Sequence, residues 1–505
     1  MATYSAVKIE ALEIEGAREH VTRARRHLAE LLALAGMSVG ALAVHGYHPG
    51  VEDAEIYLPG ILKLLRPSLY PHNAEFFQSH AGMTLFPHVI AASIKLTHLP
   101  VEWALLGWQL LSIFVLLLAC RRIAELCFRE NYAAWSAVTM VACLLTLPVA
   151  GTALYIEDQY VTSRSLSTPA ALMAVACTFG GNYVAAALWI AFMAAVHPLM
   201  AFFATSYLAV FLVMRHGRRL WRWRLEGFAA VLFPPLSPAY EAVLRTRPYF
   251  LITNWAWYEW VGILAPFGVL AWMSRVAQRY RLGPMRAACR ALIVFEGVFF
   301  ALSLVISVPG RFEYLSEIQP LRCLHLLYIL LFLFGGGLVG KFLLRDRVWR
   351  WAIVILPLCA GMWLTQRDLF AASQHLELPW TAPRNAWAQA FDWVRHNTPE
   401  NAYFALDPES HRLPGEDEHG FRAMAQRSML ADDGKDSGAV SMFPALAAEW
   451  SEQMNAELGW ENFKLADFER LKRRYGVDWV VVAQPGVPGL TCPFQNRRLL
   501  VCRIE

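Results

Sequence analysis

Apolar runs of helix-spanning length recur along most of this chain, and a helix of roughly 20 apolar residues matches the thickness of a bilayer's hydrocarbon layer. About eleven such runs, some short enough to be tilted or broken, lie near 27–46, 102–120, 133–152, 166–179, 183–196, 199–214, 225–243, 256–274, 287–308, 321–343 and 349–365. With 505 residues, 56% of them hydrophobic, only 17% charged and a mean hydropathy of +0.35, the chain is too apolar to close as a soluble domain. The pattern predicts an α-helical polytopic membrane protein. The net charge of +4 is gathered in arginine clusters rather than spread over one face, which argues against nucleic-acid binding.

The clusters predict orientation, because cytoplasmic loops hold the Lys and Arg excess. Arg18, Arg23, Arg25 and Arg26 precede the first run, which lacks a cleavage site and reads as a retained anchor behind a cytoplasmic segment 1–26. Arg121, Arg122 and Arg129 follow the second run, and Arg215, Arg218, Arg219, Arg222 and Arg224 follow the sixth. Arg275, Arg279, Arg281 and Arg286 follow the eighth, and Lys341, Arg345, Arg347 and Arg350 the tenth. All fall on the side of the N-terminus, so the C-terminus is expected outside. The same bookkeeping makes Leu85 to Leu99 an interfacial helix rather than a span, within a long first external loop over 47–100. A loop of that length in a compact membrane protein is expected to be functional.

That loop opens with His48-Pro49-Gly50-Val51-Glu52-Asp53-Ala54-Glu55-Ile56-Tyr57, which sets three carboxylates where a helix leaves the membrane. Other outer loops carry Glu157, Asp158 and Arg164, then His197-Pro198, and then Pro309-Gly310-Arg311 with Arg322 and His325 just inside the tenth run. Acids, arginines and histidines gathered at one membrane face suit a reaction with a proton to remove and a phosphate to hold. Gly335-Gly336-Gly337 is expected to allow close helix packing.

Beyond Thr365 the chain changes character, and 366–505 reads as a small α/β domain. Helices are predicted over 385–397, 443–458 and 465–475, the last closed by Gly476, with strands over 402–406, 477–483 and 499–504 and a mostly polar loop over 412–438. Cys492 and Cys502 could form a disulfide in an oxidising compartment, while the other cysteines read as small core residues. No zinc-like Cys/His spacing, phosphate-binding glycine loop or Ser/His/Asp elbow is present. Arg422 and Arg427 are weak candidates for ligand contact.

The order of these features resembles the type C membrane glycosyltransferases: a basic start, one span, a long loop opening on Glu52-Asp53 and continuing through Tyr57 and Pro59, many spans, a second acidic loop at Glu157-Asp158, and an α/β tail. The resemblance implies transfer of a sugar from a polyprenyl-phosphate carrier to a glycan, lipid or protein hydroxyl, with inversion at the anomeric carbon. It implies Asp53 as general base with Glu52 as its rival, and Asp158 or Glu157 as a second acid. It further implies Arg164, Arg311 and Arg322 as donor-phosphate ligands; His48 and His197 are candidate assisting residues by imidazole chemistry alone. No cofactor beyond the carrier is expected and no metal ligand is assigned, a divalent metal being left open. The periplasmic face of a bacterial inner membrane is the expected setting.

Plainer readings stand beside these. Glu52, Asp53 and Glu55 could be a solvated helix exit, Arg322 could snorkel to headgroups, and His197-Pro198 could be only a turn. A polysaccharide polymerase or ligase using lipid-linked glycans is the nearer rival function. A lipid or sugar transporter is the other, with the break at His197-Pro198 as its only hint.

Overall fold

The structure is a computed structural model that describes residues 2–217, 237–308, 313–410, 413 and 415–505. It is mostly helical, with a small C-terminal sheet. Among the described residues seven helices are long and apolar enough to cross a membrane: Ala24–His45, Val101–Cys127, Pro198–His216, Trp257–Arg279, Gly283–Ile306, Leu315–Leu344 and Val348–Leu369. They mark an integral membrane protein. The last of them runs past the expected end at Thr365.

Other expected spans form helices shorter than these seven. Where a run over 133–152 is predicted, the helix Asn131–Ala142 stops early and the chain unwinds into a tight reversal, with Val149 N–H donating to Leu154 O at 2.8 Å and Glu157 N–H to Leu145 O at 2.9 Å. Pro148, which has no N–H to give a helix, stands in this reversal. Ser163–Phe179 has 17 residues and Tyr183–Val196 has 14. Most of the run over 225–243 lies outside the described residues, and its described end belongs to the short helix Pro238–Arg245. That helix packs on the C-terminal region, with the Tyr240 hydroxyl donating to Ser441 O at 2.8 Å.

The glycine run does permit close approach. Ser136 Oγ, on the helix Asn131–Ala142, donates to Gly336 O at 2.8 Å, and a Cβ at Gly336 would strike Met140 and Ser136. The first loop folds into the helices Ala54–Leu65, Glu75–Ala81 and Phe86–Thr97. Phe86–Thr97 occupies the segment expected to be interfacial and buries Ile90 and Ile94 against Tyr57 and Ile61.

The C-terminal region holds five strands, β1 (Tyr403–Ala405), β2 (Ser428–Met429), β3 (Trp479–Ala483), β4 (Thr491–Gln495) and β5 (Leu499–Arg503), in the order β2-β1-β3-β5-β4. β1 runs parallel to β2 and β3, whereas β5 is antiparallel to β3 and β4. Both sheet faces are covered. Phe404, Val481 and Val501 meet Trp387, Phe391 and Val394 of the helix Ala386–Asn397, and Tyr403, Val480 and Val482 meet Phe468 and Leu471 of the helix Leu465–Tyr475. Double coverage explains why β3 reads as an unbroken apolar run instead of an alternating one. Cys492 and Cys502 are joined as a disulfide between β4 and β5.

The stretch over 412–438 corrects the expectation of a polar loop. It contains the helix Phe421–Ala425, β2 and the start of the helix Asp436–Met442, and its Glu416, Asp417, Arg422, Arg427, Asp432 and Asp436 are buried. Arg422 is almost fully buried and forms a forked pair with Asp436 at 2.9 and 2.8 Å, and Arg427 donates to Thr398 O at 2.7 Å and Arg395 O at 2.9 Å. Both guanidinium groups bond inside the fold, and neither lines the cavity described below.

Candidate functional site

The two acidic loops are brought together by the backbone. His48 N–H donates to Gln159 O at 2.9 Å, and the Gln159 side chain returns to His45 O at 2.8 Å. Thr162 caps the helix Ser163–Phe179, its hydroxyl accepting from Arg164 N–H at 3.2 Å while Ser165 Oγ accepts from Thr162 N–H at 3.2 Å. This fixes Arg164 in the first helical turn. Its guanidinium then reaches back to Asp158 Oδ2, at 2.9 Å from Nε and 2.8 Å from Nη2, and across to Asp53 Oδ2, 3.1 Å from Nη2.

Glu52 sits in the left-handed region at φ +52°. It pairs with Lys435 of the C-terminal region, whose Nζ is also 3.9 Å from Asp53 Oδ1 and 3.9 Å from Glu418 Oε2. Glu55 points the other way. It is buried, and its carboxylate accepts the backbone N–H groups of Arg422 at 2.8 Å and Ala423 at 2.9 Å. The third carboxylate of the opening motif is therefore a joint between the first loop and the C-terminal region.

These groups border a cavity of about 780 Å³ between the membrane helices and the C-terminal region. Of the residues expected to form a site, Glu52, Asp53, Asp158, Arg164, His197 and Arg322 line it. Arg322 closes a short turn, Pro320–Arg322, just before the helix Cys323–Val339. It meets no carboxylate within ion-pair distance among the described residues, and its Nε lacks a hydrogen-bond partner. Three expected residues are not among them. Glu157 accepts from Ser112 Oγ at 2.6 Å, off the cavity; His48 stacks on Phe370 at 3.9 Å and faces Glu377 at 3.6 Å; Arg311 lies outside the described residues.

No model of a known protein family matches this chain, and no curated protein is similar enough to stand as a relative. What the site can do rests on its own chemistry.

Burial alone would raise the Asp53 carboxyl, but Arg164 and then Lys435 outweigh it and hold Asp53 well below the usual carboxylate range. Asp53 is thus ionised at any ordinary pH. Asp158 goes the opposite way, burial lifting it against the pull of Arg164. Burial lowers the His80 imidazole to about 4 and pushes His197 well below its ordinary value, so both are neutral walls at neutral pH. Burial likewise drives Lys435 downward, but Glu52 and Asp53 overcome it and keep the ammonium charged.

Lys435, Tyr57, His80 and Arg247 also line the cavity and were not identified as site residues from the sequence. Lys435 has only the turn-like Asp432-Asp433-Gly434 before it as a signal. Arg247 pairs with Gly434 O and lies 3.2 Å from Ser437 Oγ, fixing the loop that carries Lys435. Among the described residues no group of three His, Cys, Asp or Glu side chains is placed to hold a metal ion. The cavity thus offers an ionised carboxylate to a hydroxyl, and to an anion a guanidinium that has no ion pair among the described residues.

Proposed function

We propose that this chain is a type C membrane glycosyltransferase that moves a sugar from a polyprenyl-phosphate carrier to an acceptor hydroxyl, inverting the anomeric centre. One observation carries the reading: Asp53, an ionised carboxylate, and Arg322, a guanidinium with no ion pair among the described residues, line the same cavity. An unpaired cation on a cavity wall is costly unless a ligand neutralises it, and a phosphate would accept its forked hydrogen bonds.

In this reading the acceptor oxygen bonds to the anomeric carbon as the bond from that carbon to the carrier phosphate breaks. The phosphate leaves with the electron pair, and the acceptor proton passes to Asp53. Asp53 is weakly basic while Arg164 holds it, so it takes the proton late, when the acceptor oxygen has gained positive character. Arg164 and Asp158 orient that carboxylate, and Arg322 stabilises the departing phosphate.

The reading carries with it about eleven membrane passes, a cytoplasmic N-terminus and a C-terminal α/β domain on the periplasmic side of a bacterial inner membrane. The disulfide Cys492–Cys502 supports that placement of the domain, since such bonds persist in oxidising compartments. The test is transfer of radiolabelled sugar by purified protein from a panel of polyprenyl-phosphate sugars, with Asp53→Asn and Glu52→Gln alongside. Turnover lost in Asp53→Asn with carrier binding intact is the expected result. No turnover from any donor, or full turnover in Asp53→Asn, would overturn the reading.

A further inference from the structure

We propose that Lys435 is a positioning residue that selects Asp53 over its neighbour Glu52 as the base, by holding Glu52 in an ion pair and leaving Asp53 open to the acceptor. This rests on the transferase reading. Exposure does not separate the two carboxylates, since the Glu52 side chain is 39% and the Asp53 side chain 33% accessible. Their partners do. Lys435 Nζ is in direct contact with Glu52 Oε2 but stays 3.9 Å from Asp53 Oδ1. Arg164 takes the other oxygen of Asp53, Oδ2, at 3.1 Å. Asp53 Oδ1 therefore has no hydrogen bond among the described residues and is the oxygen left for a substrate hydroxyl.

The backbone that carries Lys435 is held in place by a chain of contacts. Asp432 Oδ1 accepts from the N–H groups of both Lys435 and Asp436, the latter at 3.0 Å. Asp436 is forked to Arg422, and Arg422 N–H donates to Glu55, two residues along the chain from Asp53. These contacts tie the segment that carries Lys435 to the first loop, so its backbone cannot move away from the Glu52-Asp53 pair without breaking a buried charged contact. A lysine suits the task because a compact ammonium can touch one carboxylate directly while standing off from the next.

The test uses the full chain in lipid nanodiscs and whichever polyprenyl-phosphate sugar the wild type consumes. Lys435→Met is expected to slow transfer by about tenfold or more, because the released Glu52 carboxylate competes for the acceptor hydroxyl, and Lys435→Arg to restore most of the rate. The decisive variant is Glu52→Gln combined with Lys435→Met, which is expected to transfer faster than Lys435→Met alone. A structural role would give no such recovery. Melting temperatures accompany each rate, and Lys435→Gln, alone and with Glu52→Gln, is read in the same way if Lys435→Met does not fold. A wild-type rate in Lys435→Met, or a double variant no faster than the single one, overturns the role of Lys435 and leaves the transferase reading standing. Absence of transfer by the wild type from every carrier removes the transferase reading, and this inference with it.

Discussion

Arg164 touches Asp53 with the same nitrogen that touches Asp158, at 3.1 and 2.8 Å, so a single guanidinium fixes the distance between carboxylates from two different loops. Arg164→Lys is expected to keep the charge and lose the bridge, because one ammonium on a shorter side chain cannot reproduce the Nε contact to Asp158 together with the Nη2 contacts to both acids. Transfer should fall by about a hundredfold, with the melting temperature changed much less. Rates and thermal unfolding of the same preparations check this, and near-normal transfer by the lysine variant would count against the bridge.

Arg322 makes the opposite prediction for stability. Replacing a partnered buried arginine destabilises a protein, whereas an uncompensated one is a burden. Arg322→Gln should therefore melt no lower than the wild type while its binding of undecaprenyl phosphate weakens by about tenfold or more. A lower melting point would show that Arg322 is a structural residue.

Arg422 is the partnered case. Arg422→Met strands Asp436 in a buried site and is expected to cost about 3–5 kcal/mol. Denaturant titration of the detergent-solubilised protein measures it, and a loss under about 1 kcal/mol would contradict the assigned role.

Glu157 gives a pH dependence. Burial first, with Asp158 adding to it, raises its carboxyl from the ordinary 4.5 to about 8, against the Ser112 hydroxyl that lowers it. The folded state thus holds a proton that the unfolded state has lost between those values. Its contribution to stability is fullest below about 4.5 and declines as pH rises to about 8, by of order 1 kcal/mol per pH unit in that window. Glu157→Gln removes the slope, so the variant should gain on the wild type steadily from pH 5 to about 8, as melting curves across that range would reveal.

The disulfide between Cys492 and Cys502 closes a short loop, and Cys502→Ser should cost about 2–3 kcal/mol. Thiol labelling under denaturing conditions should reach neither cysteine until a reductant is added. Labelling without reductant would show the pair to be reduced.

What the sequence discloses and what it hides divide along physical lines. Long apolar helices are written in one dimension, and so is the helix Leu465–Tyr475, whose end is marked by Gly476 at φ +80°. Asp53, Asp158, Arg164 and Arg322 were legible because each stands where a hydrophobic helix begins or ends. Lys435 was not, since its meaning lies in contacts with residues 383 positions away. Arg422 and Asp436 misled because a charge pair buried within one region looks, as a string, like a solvated loop. β4 escaped notice through Pro493, which an edge strand tolerates and a central one does not.

The hydrogen bonds from Arg422 and Ala423 to Glu55 span 367 and 368 positions of chain. Translation runs from the N-terminus, so the opening motif is made and threaded into the bilayer long before its partners leave the ribosome. Throughout that interval Glu55 has no backbone to receive and Glu52 no ammonium beside it. A nascent or prematurely terminated chain would therefore sit in the membrane with its carboxylates unarranged, inert toward any lipid-linked sugar around it, until the last quarter of the polypeptide arrives.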